Sequence, residues 1–288
     1  MPLYRPKIEQ LKAAIDSLEN QTFQDFQLVI VDDTPDNQEI ESLLSSYKTL
    51  NINYHHNNIA LGLPKSLNYG ISMCNSDYVA RADCDDIYHE TRLQVQLNFL
   101  SRNKNIDICG SNCKKINNQG EVIGIRLFPE TDKNIKSKMH VSNPIAHPSV
   151  MARKSFFDDL NGYSEDVEVE DYELWLRAKQ HNKNFYNIQS NLCYLRVINS
   201  SPSRRGRSWD ENLQLKLKYF DSKNLLSSLT GVIIFSLIVL LPESVSTYFN
   251  KIRNRGHEYF SNRWNRFYWK LFFFQALQKH RKQYSSNR

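Results

Sequence analysis

The stretch Tyr78-Val79-Ala80-Arg81-Ala82-Asp83-Cys84-Asp85-Asp86 gathers three carboxylates within four positions at the end of a short apolar run. Carboxylates this close repel one another unless a cation holds them. Asp oxygens are hard ligands suited to Mg²⁺ or Mn²⁺, ions that commonly bridge to substrate phosphates. The pattern points to metal-assisted handling of a diphosphate compound; its alternative is a solvated acidic turn after a strand. A second acidic pair, Asp32-Asp33, closes the apolar run from Phe26 to Val31.

The elements that must position these acids alternate along the first two-thirds of the chain. Ile8, Leu11, Ile15 and Leu18 recur at helical spacing, as do Ile40, Leu43, Leu44 and Tyr47. Leu63, Leu67 and Ile71 share a helical face, and so do Leu93, Leu97 and Leu100. Between these lie strand-like runs at Phe26–Val31, Ile52–His55 and Asp77–Ala82. Strands alternating with helices predict a mainly parallel sheet covered on both faces, with ligands outside the carboxyl ends of its strands. Both acidic clusters fall at such ends. Residues 106–127 predict short strands around an Asn117-Asn118-Gln119-Gly120 turn, Val169–Gln180 a helix, and residues 185–197 an extended segment. The second half is therefore mixed α/β.

In order along the body, several segments resemble the family-2 glycosyltransferases. Met1-Pro2-Leu3-Tyr4 resembles the end of that family's first strand. Ser17 to Thr22 followed by Phe26 to Asp33, Gly62 to Gly70, Arg81 to Leu93, and Glu170-Asp171-Tyr172-Glu173-Leu174-Trp175-Leu176-Arg177 resemble its successive motifs. The resemblance covers roughly residues 1–200. It implies the nucleotide-diphospho-sugar transferase (GT-A) fold and transfer of a hexosyl or N-acetylhexosaminyl unit from a nucleotide diphosphate, most often UDP, to an acceptor hydroxyl with inversion.

By the same resemblance, Asp171 would be the general base. Pro2, Tyr4, Asp33, Arg81 and Asp83 would bind the donor. Asp85 and Asp83 would hold Mn²⁺ or Mg²⁺. Asp86, His147, Glu170 and Trp175 would border the acceptor or support the site. The chemistry suits these residue types, because a leaving diphosphate gains charge that a divalent ion stabilises and the acceptor hydroxyl must lose a proton to a carboxylate. For Asp171 the alternative is a helix N-terminal acid favoured by the macrodipole. For Trp175 it is the core. One departure stands out: the family's first, central strand precedes the Pro-x-Tyr position where this sequence starts, so either the true start lies upstream or this form lacks a core strand, whose loss would leave unpaired backbone groups on its neighbours. That departure keeps open a catalytically silent partner of a sugar-assembly complex. A nucleotidyltransferase is a further alternative, against which the Glu170-Asp171 helix argues.

The 288 residues carry a net charge of +6, unevenly placed: residues 242–288 hold ten Lys/Arg against two Glu. The expected division is a catalytic domain over 1–221 and a helical, basic-aromatic appendage over 222–288. Leu225 to Leu241 is an uncharged apolar run at the lower limit for spanning a bilayer, and Phe267 to Leu277 is aromatic-rich with only Lys270 charged. Apolar faces with interleaved cations suit an anionic membrane surface; packing on the body and a true span are the alternatives. A nucleic-acid partner is not expected, because no recognition module accompanies the basic residues. Five scattered cysteines predict free thiols, and the absence of an apolar segment between Met1 and Lys12 predicts no secretory signal. Together these predict an enzyme at the cytoplasmic, inner face of the cell membrane, acting on a lipid-linked or polysaccharide acceptor.

Overall fold

The structure is a computed structural model that describes residues 1–35, 39–197 and 202–240. Its first half is wound in parallel. Strands β1 (Pro2–Leu3), β2 (Gln27–Asp32) and β3 (Asn51–His56) pair side by side in that order. Helix α1 (Ile8–Glu19) buries Leu11, Ala14, Ile15 and Leu18, the face that its spacing predicts. Helices α2 (Glu39–Leu44) and α3 (Leu63–Ser72) follow β2 and β3. Leu28, Val29, Ile30 and Val31 are all buried, so β2 is an apolar run rather than an alternating one, as a strand covered on both faces must be.

A second sheet holds β4 (Tyr78–Ala80), β5 (Ile87–Tyr88), β6 (Ile108–Ile116), β7 (Val122–Arg126), β8 (Met151–Arg153) and β9 (Phe185–Arg196). Its order is β4-β8-β6-β9-β5, with β7 on β6. Only β6 and β9 run parallel; the other pairs are antiparallel. The β6–β7 hairpin turns where the sequence predicts. Asn117 Oδ1 accepts from the N–H groups of Gln119 and Glu121 at 3.0 Å each, and Gly120 takes a φ of +85°.

Helices α4 (Arg92–Arg102), α5 (Asp132–Met139), α6 (Lys154–Asp159) and α7 (Glu170–Gln180) complete the body. Short α5 and α6 carry no strong sequence periodicity and take their place by burying Ile135, Met139, Phe156 and Phe157. With Trp175, Leu174 and Phe185 these form the main core beneath α7.

Between β2 and β4 the sheet is interrupted. Two residues of β1 pair with Val31 and Asp32, and the Met1 amine donates to Val29 O at 2.7 Å. Burial, helped by Arg81, lowers the pKa of that amine to about 5, so it is a neutral donor at pH 7. The remaining space is a cavity of about 590 Å³ lined by residues of both strands, among them Leu28, Val29, Tyr78 and Val79. A largely apolar hollow thus lies between the edges of β2 and β4.

Helices α8 (Pro202–Lys218) and α9 (Leu225–Leu240) follow the second sheet. The first compact unit runs from Met1 to Ser246 and includes α9. No helix of the described residues is long and apolar enough to cross a membrane. The aromatic stretch Phe267–Leu277 lies outside the described residues.

Candidate active site

Strand β4 ends at Ala80, and the chain then turns through Arg81 to Asp86 before β5. Two buried side chains hold this turn. Tyr88 hydroxyl accepts from Asp83 N at 2.5 Å and donates to Asp83 O at 3.0 Å. Arg92, fully buried, donates to Arg81 O at 2.8 Å and Val150 O at 3.1 Å, and its Nε meets Gln96 Oε1 at 3.0 Å. The turn is thereby fixed to α4 behind it.

The result is a triad: Asp83, Asp85 and Asp86 each offer a carboxylate oxygen, all within 4.8 Å of one another. Arg81 is buried and ion-paired with Asp83. Arg196 approaches the same turn, but its side chain goes to the carbonyl oxygens of Asp85, Asn117 and Asn118, and its N–H to Asp86 Oδ1 at 2.7 Å. Burial first, then Asp83, raises the pKa of Asp85; burial with Asp83 and Asp85 pushes Asp86 well above the usual carboxylate range. Three hard oxygens in one turn, with their mutual repulsion only partly relieved by Arg81, fit a small divalent cation.

The N-terminal turn of α7 lies within electrostatic reach of Asp83. Glu170 is 7% exposed. Burial, then Asp171, raises its pKa to about 8. Asp171 is half-buried: Oδ2 accepts from Asn143 Nδ2 at 2.6 Å and Oδ1 from Tyr172 N at 2.7 Å. Burial raises its pKa too, and Asp83 adds to the rise at both Glu170 and Asp171. The two acidic groups, 85 residues apart in sequence, therefore act on one shared space.

His147 sits beside this pair. Its Nε2 meets Tyr163 hydroxyl at 2.8 Å and its Nδ1 lies 3.7 Å from Glu170 Oε1. Burial, with Arg81, holds its pKa well below the ordinary value, so the imidazole is neutral. Tyr163 is fixed in turn by Asn68, which accepts from Tyr163 N at 2.7 Å and donates to Tyr163 O at 2.9 Å. Trp175 stands behind His147, 6.1 Å between ring centroids, and is fully buried, so it supports the wall of the site from the core side.

The remaining sequence-predicted residues gather at the end of β1 and β2. Asp33 N donates to Leu3 O at 2.9 Å, and Pro2 pairs with Val31. Asp33 is buried, and its carboxylate shapes the loop into α3. Oδ1 accepts from Asn57 Nδ2 and Leu61 N, and Oδ2 from Gly62 N, all at 2.8 Å. Tyr4 is 58% exposed and lies under Arg5, which takes a left-handed φ of 46°. Three supporting residues lack any signal in the sequence: Asn143, Tyr163 and Arg196. Each acts across 16 to 111 positions of chain.

The sequence model of glycosyl transferase family 2 matches residues 1–160. The bifunctional glycosyltransferase pgtA of Dictyostelium discoideum is 37% identical over 234 residues, which are 68% of this chain but only 30% of that longer protein. An Escherichia coli UDP-Gal:alpha-D-GlcNAc-diphosphoundecaprenol beta-1,3-galactosyltransferase is 29% identical over 84% of this chain and 90% of its own. Among solved structures, S. aureus TarS 1-349 in complex with UDP-GlcNAc superposes with a TM-score of 0.62 at 15% identity, covering 81% of this chain and 69% of that one. At that identity the likeness is one of fold.

Proposed function

This chain belongs to glycosyl transferase family 2, and on that premise we propose that it is a metal-dependent, inverting enzyme that uses a nucleotide-diphosphate sugar, of the UDP class, in building a surface polysaccharide. Its standing as a glycosyltransferase rests on the family match and on named relatives; the donor, the metal and the stereochemistry are our reading. What supports it is the Asp83-Asp85-Asp86 triad together with the Glu170-Asp171 turn, on both members of which Asp83 acts electrostatically.

In this reading Asp83 and Asp85 would hold Mn²⁺ or Mg²⁺, with Asp86 in support. Such an ion, when bound, neutralises charge on the departing diphosphate. Asp33, Pro2, Tyr4 and Arg81 bind the nucleotide side of the donor. Asp171, oriented by Asn143, takes the proton of the acceptor hydroxyl through its remaining lone pairs. The acceptor oxygen forms its bond to the anomeric carbon as the bond from that carbon to the diphosphate oxygen breaks, and the bonding pair leaves with the nucleoside diphosphate. One base on the face opposite the leaving group gives inversion without a covalent enzyme intermediate. Glu170 holds a proton at neutral pH, so only one negative charge stands where the acceptor must approach.

The acceptor we infer is a lipid-linked or polysaccharide hydroxyl, as in the galactosyltransferase relative. The basic appendage attaches the enzyme to the anionic inner face of the membrane where such lipids are used. The test is UDP release from UDP-sugars with Mn²⁺. The wild type should turn over only with metal, while Asp171→Asn and Asp85→Asn should each lose about 100-fold or more. Turnover in EDTA equal to that in Mn²⁺, or full activity of Asp171→Asn, would sink the reading.

A further inference from the structure

Helix α9 packs on the body through Ser228, Gly231 and Phe235, while Thr230 is exposed among the aliphatic residues of its other side. Ser228 is buried; its Oγ meets His140 Nδ1 at 3.2 Å and donates to Asp221 O at 3.1 Å. Gly231 packs directly on His140, where an added Cβ would lie 1.8 Å from the carbonyl oxygen. Phe235 is buried, with Lys216 Nζ 4.4 Å from its ring centroid. Positions 228, 231 and 235 follow helical spacing and fix the inner side.

The other side carries Leu226, Leu229 and Ile233, which are 73%, 43% and 55% exposed. Leu225 beside them is 53% exposed, and no charged residue occurs anywhere in Leu225–Leu240. Scattered surface leucines need no explanation. A helical stripe of aliphatic residues with no charge along 16 residues does, because a solvated helix carries its charges on that side.

We propose that the Leu226–Leu229–Ile233 side of α9 is a membrane-docking face that lies in the headgroup layer of an anionic bilayer, with the helix axis parallel to the surface. This deepens, and rests on, the membrane attachment read above from the basic appendage. Sixteen residues reach about 24 Å, short of the roughly 30 Å hydrocarbon core, and one side is already committed to the protein. The helix therefore lies on the membrane rather than across it. Charge complementarity selects lipid over a protein partner: the sequence that continues from α9, residues 242–288, holds ten Lys/Arg against two Glu.

The docking has a consequence for the site. Lys216 of α8 donates to His140 O at 2.9 Å and to Tyr172 hydroxyl at 2.5 Å, and Lys179 pairs with Asp221 at 2.8 Å. These bonds tie α8 and α9 to α7, the helix that carries Asp171. A membrane-bound α9 would hold that carboxylate at a set height above the lipid surface, where a lipid-linked hydroxyl arrives.

The test is co-sedimentation of the full chain with vesicles of phosphatidylcholine alone and with 30% phosphatidylglycerol. The triple variant Leu226→Glu/Leu229→Glu/Ile233→Glu is compared with Val122→Glu/Ile123→Glu/Ile125→Glu, the same charge change on exposed positions of the β6–β7 hairpin. The wild type and the hairpin variant should bind anionic vesicles alike, and the α9 variant should lose about 10-fold or more in partitioning. Equal binding of the α9 variant overturns the proposal, as do equal losses in both variants. If removal of 242–288 abolishes binding while the α9 variant binds normally, the appendage alone is the anchor: the attachment stands and this inference fails. If the wild type binds neither vesicle, both fail. A wild-type dimer that the α9 variant converts to monomer marks a face between copies and likewise overturns it.

Discussion

At the residue scale, the site depends on carboxylates kept where they repel one another. Asp171 is held at Oδ2 by Asn143 and at Oδ1 by Tyr172 N, and the two bonds aim its remaining lone pairs. A hydrogen bond to a charged group contributes about 1.5–3 kcal/mol, so Asn143→Ala should lower kcat about 10- to 100-fold with KM little changed, as steady-state UDP release will show. Loss of KM with intact kcat would mean that Asn143 serves binding instead. Glu170 makes a separate prediction about stability. Its pKa in the fold is about 8, above the 4.5 of an ordinary Glu, because burial and then Asp171 disfavour its charge. The fold keeps a proton that the unfolded chain releases, so stability falls as pH rises from about 4.5 to about 8. Glu170→Gln cannot ionise. Its urea midpoint should exceed that of the wild type at pH 8.5 and converge on it near pH 5; parallel midpoints across that range would refute the assignment.

At the element scale, the residues of the family motifs include some that brace the site rather than enter it. Gln21 is buried in the turn after α1. Its Nε2 donates to Ser17 O at 3.0 Å and His89 O at 2.8 Å, and its Oε1 accepts from Leu93 N at 3.0 Å. It joins α1 to the start of α4, which in turn carries Arg92 beneath the acidic turn. Gln21→Ala leaves buried backbone groups unsatisfied and should cost about 2–3 kcal/mol in urea unfolding. The hollow between β2 and β4 offers the opposite experiment. Its two strand edges and apolar lining match a single extended strand leading into Met1, which already bonds Val29 O and Val31 N. A five-residue Val/Ile-rich extension before Met1 should raise Tm by several degrees over a Gly/Ser extension of equal length, since filling a cavity and pairing two edges both stabilise. Equal melting of the two would show that the hollow does not accept a strand.

At the scale of the whole molecule, the parts meet at His140. Buried between α7, α8 and α9, it lies against Lys179, Lys216, Asp221 and Ser228. Burial, with Lys179, lowers its pKa to about 4, from 6.5, against the opposing pull of Asp221. The fold prefers the neutral imidazole, so the unfolded chain binds the extra proton, and stability is lost as pH falls from about 6.5 to about 4. Circular dichroism melts should show Tm dropping through that window, and the drop should be smaller in His140→Gln. An unchanged drop in that variant would place the acid sensitivity elsewhere.

The local code of this chain carries its elements and its chemistry. Helical spacing marks α1, α3, α4 and α7, an apolar run marks β2, and a turn signal marks the β6–β7 hairpin. The acidic triad is legible because repulsive carboxylates three in four positions need a reason. Trp175 shows the limit: its motif position admits either site or core, and only packing assigns it to the core behind His147. Asn143, Tyr163 and Arg196 are likewise invisible in sequence, because each matters through a partner that only the folded chain brings near. The side of α9 that faces the body was undecidable for a further reason. An apolar run with few polar marks has almost no helical directionality of its own, so the fit of Gly231 against the His140 carbonyl oxygen chooses which leucines are left outside.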